Sequence, residues 1–222
     1  MLGHTSDVWM CLELSDCNLA TCSNDHTIRI WFNNPETKQY EEFKILSTGY
    51  DEIGEMLETK NKILVTSSVF DGADEVQLWD ITKYERIGIV KNIATCGLRD
   101  LIQITDDIVC VNGSRDEEGL QFISLSKMAK VNHLKDFNDN KIESLYTAKD
   151  GTIFIGYGEG SDENFNDPSN AGHIKQYKFN EKDITLTEIC EKKKAHNFCI
   201  FGFNQLSNGD FISFARDIKI WK

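Results

Sequence analysis

An all-β fold of repeated antiparallel sheets is what this chain of 222 residues predicts, on three observations. Thirteen residues separate Val8 from Thr21, and the same interval separates Ile53 from Thr66, Leu98 from Val111, Ile142 from Ile155 and Ile200 from Ser213. Each interval opens on apolar residues three apart and closes on a short β-prone run. Each is followed by a run in which polar and apolar residues alternate, the pattern of a half-buried strand. A fixed period of this kind marks a repeated supersecondary unit. One four-stranded meander of about 45 residues cannot bury both its faces, whereas meanders stacked radially around an axis can. The predicted fold class is therefore a β-propeller of about five recognisable four-stranded antiparallel blades, with the ring incomplete.

The first strand of each unit carries Val8, Cys11 and Leu14; Ile53, Met56 and Thr59; Leu98, Leu101 and Ile104; Ile142, Leu145 and Ala148; and Ile200, Phe203 and Leu206. This spacing alone also suits a helix. The segments are too short for one and end in polar turns such as Lys149-Asp150-Gly151 and Ser207-Asn208-Gly209, where Asp-Gly and Asn-Gly favour hairpins. In a strand, a spacing of three requires a bulge that re-aims one side chain. The second strands are expected at 19–21, 63–66, 108–111, 153–155 and 211–213, and the third at 27–31, 75–79, 120–123, 174–177 and 218–221. A weaker fourth strand follows in most units, as at 42–46 and 86–90. The units run over approximately 3–47, 48–91, 92–135, 136–190 and 191–222, as one domain over 1–222, and the last lacks its outer strand.

With the strands placed, the chain resembles the WD-repeat family of propellers. The first unit carries Gly3-His4, Leu19-Ala20-Thr21-Cys22-Ser23-Asn24-Asp25 and Thr27-Ile28-Arg29-Ile30-Trp31; the second ends in Trp79-Asp80; the fifth has His196, Ser213, Asp217 and Trp221. The resemblance runs from residue 3 to 222 and is weakest in the third and fourth units. It implies a hydrogen-bonded structural tetrad within a blade, here His4, Thr21, Asp25 and Trp31 in the first unit and His196, Ser213, Asp217 and Trp221 in the fifth. Both His residues lie 17 positions before the hydroxyl and both Asp residues four after it, while the Asp-to-Trp interval is six in the first unit and four in the fifth. Gly49, Ala94 and Asn138 stand at the matching His positions elsewhere, so those blades are expected to rely on packing. His, Ser and Asp together also invite a hydrolase reading. A triad needs an exposed nucleophile, however, and these residues fit a repeated internal network instead.

Family members commonly have seven or eight blades. Five units leave three explanations: a fragment of a longer chain, a natural short protein completed by a partner or by self-association, or a strained five-blade ring. An open sheet edge is a pairing liability.

Composition narrows the function. The net charge of −12 opposes general binding to nucleic acid or to an anionic membrane and favours basic segments of proteins as partners. No apolar run approaches membrane-spanning length, and the N-terminus does not read as a signal peptide. The seven cysteines (11, 17, 22, 96, 110, 190 and 199) include no CxxC pair, which points to reduced thiols, mostly on strands, in an intracellular, cytoplasmic protein. Asn112-Gly113-Ser114 reads as a turn rather than a glycosylation site, and Lys192-Lys193-Lys194 as a solvated loop. Gly156 to Gly172 reads as a long exposed insertion. Asp162, Asn164 and Asn166 within it mimic the start of a calcium loop, but Asp167 and His173 stand where Gly and Glu are needed. No metal, cofactor or catalytic residue is expected.

The resemblance implies a non-catalytic protein-interaction scaffold that presents peptides or domains with one face. That face is formed by the loops before the first strands and between the second and third. By position it would carry Thr5, Asp7 and Asn24, Tyr50 and Glu52, Asp139 and Lys141, and Asn197 and Arg216. The alternative is a structural subunit or fragment of a larger multi-blade assembly, its missing strands supplied in cis or in trans.

Overall fold

A computed structural model describes residues 3–49, 53–68, 75–93, 98–113, 119–135, 141–158 and 171–222. Its strands fall into five antiparallel sheets, one per predicted unit. Blade 1 contains β1 (Val8–Glu13), β2 (Leu19–Ser23), β3 (Thr27–Asn33) and β4 (Tyr40–Ser47). Blade 2 contains β5 (Ile53–Glu58), β6 (Ile63–Ser68), β7 (Glu75–Asp80) and β8 (Glu85–Lys91). Blade 3 contains β9 (Leu98–Gln103), β10 (Ile108–Gly113), β11 (Leu120–Ser124) and β12 (Ala129–Leu134). Blade 4 contains β13 (Lys141–Thr147), β14 (Ile153–Gly158), β15 (Gly172–Asn180) and β16 (Thr185–His196). Blade 5 has three described strands, β17 (Gly202–Gln205), β18 (Phe211–Phe214) and β19 (Ile218–Trp221). Each sheet is a meander with strands in sequence order, and β1, β5, β9, β13 and β17 neighbour one another in turn around the axis. The five blades are arranged in a ring that is not closed.

The thirteen-residue interval has a physical origin in the first hairpin. Cys11 pairs with Thr21, Met56 with Thr66, Leu101 with Val111, Leu145 with Ile155 and Phe203 with Ser213. In blades 1 to 4 the register shifts between this pair and the start of the strand, as between Val8 and Met10, Ile53 and Glu55, and Ile142 and Ser144. The extra residue of each bulge turns an i, i+3 pair of apolar side chains onto one face. Blade 5 has no such shift, because β17 begins only at Gly202.

The core lies between blades. Ala20, Cys22, Ile28 and Ile30 of blade 1 pack against Ile53, Met56, Leu64 and Trp79 of blade 2. Val65, Val76 and Leu78 of blade 2 meet Val109, Val111 and Ile123 of blade 3, and Cys110, Leu120 and Phe122 of blade 3 meet Ile142, Leu145 and Ile155 of blade 4. Phe154 and Ile174 of blade 4 meet Ile200 and Phe203 of blade 5. Blades 2, 3 and 4 thus each contribute one face to the interface before them and the other to the interface after them.

Several expectations are corrected. Asn112-Gly113 is not a turn: both residues end β10, and the Asn112 side chain is fully buried, donating from Nδ2 to the Ile142 carbonyl at 3.2 Å. The three lysines lie on β16, not in a loop, because that strand runs on past the pairing of Ile174 with Lys192. The long insertion is shorter than read, since Gly156, Tyr157 and Gly158 close β14 and Gly172 opens β15. The calcium-like residues Asp162, Asn164, Asn166 and Asp167 lie outside the described residues. Cys22 and Cys110 are buried, whereas Cys11, Cys17 and Cys190 are exposed, and all six described cysteines are free thiols.

Candidate interaction face

The segment before β1 is held to blade 1 by a relay of side chains. His4 Nδ1 lies 2.9 Å from Asp25 and His4 Nε2 lies 2.7 Å from Thr21 Oγ1, while Trp31 Nε1–H donates to the same Thr21 oxygen at 2.8 Å. A carboxylate only accepts, so the imidazole proton sits on Nδ1 and Nε2 accepts from the Thr21 hydroxyl. Burial opposes the Asp25 charge, but hydrogen bonds from the Thr27 hydroxyl, the Thr5 amide and His4 outweigh it and hold the carboxyl well below its ordinary pKa. In blade 5, His196 Nδ1 lies 2.5 Å from Asp217, His196 Nε2 lies 2.6 Å from Ser213 Oγ, and Trp221 Nε1–H donates to that oxygen at 2.8 Å. The hydrogen bond from His196 lowers the Asp217 pKa as well. His196 ends β16 and pairs with Gly172, so this relay ties blade 4 to blade 5.

Blade 2 retains half of the arrangement. Trp79 Nε1–H donates to Thr66 Oγ1 at 3.2 Å, and Gly49, at a φ of 75°, stands where a His would be. Ala94 and Asn138, at the other matching positions, lie outside the described residues.

The relay in blade 1 positions three of the residues expected on the interaction face. The Thr5 amide donates to Asp25 Oδ2 at 3.0 Å, and the Asn24 amide donates to the Asp7 carbonyl at 3.0 Å. Thr5, Asp7 and Asn24 are thereby gathered at one end of the blade. Asn197 and Arg216 lie in blade 5, where the Arg216 guanidinium stacks 4.4 Å from the centre of the Phe198 ring. The two groups therefore sit on the two blades that bound the open part of the ring. Tyr50, Glu52 and Asp139 lie outside the described residues. Lys141 opens β13 opposite Gly158, and nothing further is described of its side chain.

Two aromatic residues were missed from sequence. Trp9 is 55% exposed and donates from Nε1 to the Asn24 side chain, and Phe201 is 54% exposed beside Phe198, with ring centres 5.7 Å apart. Each directly follows the residue that opens its thirteen-residue interval. The signal was that interval itself; at Trp9 the bulge between Val8 and Met10 turns the side chain outward, whereas Phe201 lies just before β17.

Deeper in the ring, Glu55 on β5 is pushed up to about 7, by burial first and then by the charge of Asp100 on β9. Among the described residues no group of three or more His, Cys, Asp or Glu side chains could hold a metal ion, and no helix is long and apolar enough to cross a membrane.

No protein-family profile matches the sequence, and no curated protein does. Solved structures do match the fold. A chain in the crystal structure of a mitotic checkpoint complex superimposes with a TM-score of 0.74 at 15% identity, over 100% of this chain and 63% of that one. The WD40 β-propeller domain of Doa1 superimposes with a TM-score of 0.66 at 14% identity, over 100% of this chain and 65% of that one. The chain thus spans a little under two thirds of the length of these solved chains, and what it shares with them is the fold of a WD40 β-propeller.

Proposed function

We propose that this chain is a non-catalytic protein-interaction scaffold that binds a peptide or a domain of another protein through the loop end of its blades. The observation that carries the reading is the gathering of Thr5, Asp7 and Asn24 at one end of blade 1, with exposed Trp9 donating to the Asn24 side chain. An exposed aromatic beside fixed polar groups is the composition of an energetic anchor at an interface. Arg216 over Phe198 supplies a second anchor of the same kind across the opening. Tyr50, Glu52, Asp139, Asn197 and Lys141 complete the proposed face. The His4 and His196 relays are read as structural, since each His has both ring nitrogens engaged by side chains of the fold, His4 by Asp25 and Thr21 and His196 by Asp217 and Ser213. The charge of −12 favours basic segments as partners, with no nucleic acid, no membrane insertion and no cofactor. Free thiols suit an intracellular, cytoplasmic setting. A quantitative pull-down compares the native chain with an Asp7→Ala, Trp9→Ala, Tyr50→Ala variant whose melting is unchanged. The reading expects partner recovery to fall at least about tenfold; equal recovery rejects the face.

A second reading, a subunit of a larger assembly whose missing strands come in cis or in trans, is favoured by one observation. Phe214, Ile218 and Ile220 are 37%, 72% and 59% exposed, yet Cys22, Ile28 and Ile30, which hold the same register positions in blade 1, are fully buried. On the other side of the opening Val8 and Ile45 are also exposed. Light scattering across concentration tests self-association. A mass that rises with concentration, and falls back on Ile218→Lys with Ile220→Lys, supports completion by a second copy; a monomer at every concentration rejects that form of it.

A further inference from the structure

Near the axis, one register position in each blade meets the next blade. It is held by cross-strand pairs of the first hairpin: Met10 with Cys22, Glu55 with Ser67, Asp100 with Asn112, and Ser144 with Gly156. Each lies beside the pair that fixes the thirteen-residue interval, and residues opposite one another share a face.

Three of the four seams are closed here by hydrogen bonds. Between blades 1 and 2, Met10 Sδ accepts from the Met56 amide at 3.2 Å and Cys22 Sγ–H donates to the Ile53 carbonyl at 3.4 Å. Between blades 3 and 4, Asp100 Oδ2 accepts from the Leu145 amide at 2.8 Å and Asn112 Nδ2–H donates to the Ile142 carbonyl at 3.2 Å. Between blades 4 and 5, the Ser144 hydroxyl donates to the Ile200 carbonyl at 2.9 Å. Gly156 leaves room for it, since a Cβ there would lie 2.5 Å from Ser144 Oγ.

The seam between blades 2 and 3 makes neither bond among the described residues. Ser67 is fully buried, and its Oγ has no hydrogen-bond partner. Opposite it, the half-buried Glu55 carboxyl feels only burial and the charge of Asp100, which push its pKa up to about 7. The other elements packed on β5 bring little that could offset that charge. β6 offers hydroxyls alone, and β2 brings Cys22, whose thiol burial pushes up to about 11 with Glu55 adding to it. β1 carries Cys11 and Glu13, both exposed, and on β9 Asp100 follows Arg99 in the sequence.

We propose that the axis side of this seam is a proton-operated joint, held together by neutral Glu55 and parted when Glu55 ionises against Asp100. A neutral carboxyl tolerates burial beside an unbonded hydroxyl far better than a carboxylate does. The outer part of the seam stays packed by Val65, Val76, Leu78, Val109, Val111 and Ile123, so opening is confined to the axis side. The closing contribution is present at low pH and is lost as pH rises from the unfolded value of about 4.3 toward the folded one. The joint is independent of the interaction face proposed above.

The test is native-state amide exchange of the whole chain at about pH 5.5 and about pH 8, corrected for the intrinsic rate at each. Protection of β5 and β9 is expected to fall at least about tenfold at the higher pH, while β13 and β14 change by less than about threefold. Glu55→Gln should hold the low-pH protection at both values. Asp100→Asn, which removes the opposing charge, should move the midpoint of the change to higher pH, because ionised Glu55 then meets less repulsion in the parted state than the seam loses on closing is not required; the simple expectation is a midpoint shifted downward, as the charge that raises the Glu55 pKa is gone. The proposal is overturned by protection of β5 and β9 that does not change with pH, by an equal loss in all blades, by a loss that persists in Glu55→Gln, or by a midpoint that Asp100→Asn leaves in place.

Discussion

The Thr21 hydroxyl accepts from Trp31 and stands against His4, so one oxygen joins two elements and the loop before β1. Thr21→Val keeps the shape and leaves a buried indole N–H and an imidazole nitrogen without their partner. A loss of about 1–3 kcal/mol is expected in urea unfolding. The same change at Thr66, which has no His above it, should cost less, because only the Trp79 bond is lost. Acid sensitivity follows from the depressed carboxyl pKa values of Asp25 and Asp217. Their stabilisation is complete above the unfolded value of about 4 and is lost as pH falls through it toward the lower folded values. Asp25→Asn should therefore flatten the acid limb of a stability–pH curve. Glu55 works in the opposite sense. Its folded pKa near 7 exceeds the unfolded value of about 4.3, so the native state holds the extra proton and loses stability as pH rises between the two. Glu55→Gln should remove that slope and stabilise the chain at pH 8 by roughly 1–2 kcal/mol, allowing for partial screening.

At the scale of the element, equivalent residues differ only in what lies beyond them. Val131 and Ile189 occupy the same bulge position, but blade 4 covers the first and no described strand covers the second. Val131→Asp should lower stability by about 2 kcal/mol, whereas Ile189→Asp should stay within about 0.5 kcal/mol, measured by thermal or urea unfolding. This is also where reading from sequence reached its limit. The inner hairpins were legible because bulge and turn fix the interval from Val8 to Thr21 in every unit, and strand alternation places Ile28 and Ile30 on one face. The outer strands β12 and β16 were not, because Lys130 and Glu188 interrupt the alternation and a bulge moves Val131 and Ile189 out of phase. The Lys192–Lys194 run read as loop for a related reason: β16 is half exposed, so solvent tolerates charge where a paired strand still runs. On the candidate face, the residues set by the repeat (Thr5, Asp7, Asn24) were legible, while Trp9 was hidden by its place beside a bulge.

Over the whole molecule, four inter-blade interfaces of one kind are filled and the two end faces are not. Stability should therefore grade along the arc, since each blade is held by its neighbours and the end blades have one each. The open arc is also what places Asp7, Trp9 and Asn24 on one bank and Arg216 with Phe198 on the other, so that recognition and completion share a border. Native-state amide hydrogen exchange of the chain alone, at low micromolar concentration, tests the open ring most directly. The account predicts strong protection in β6, β7, β10, β11 and β14, with markedly faster exchange in β1 and β19. Equal protection of β1 and β19 with the central blades would contradict it, because both end faces would then be covered.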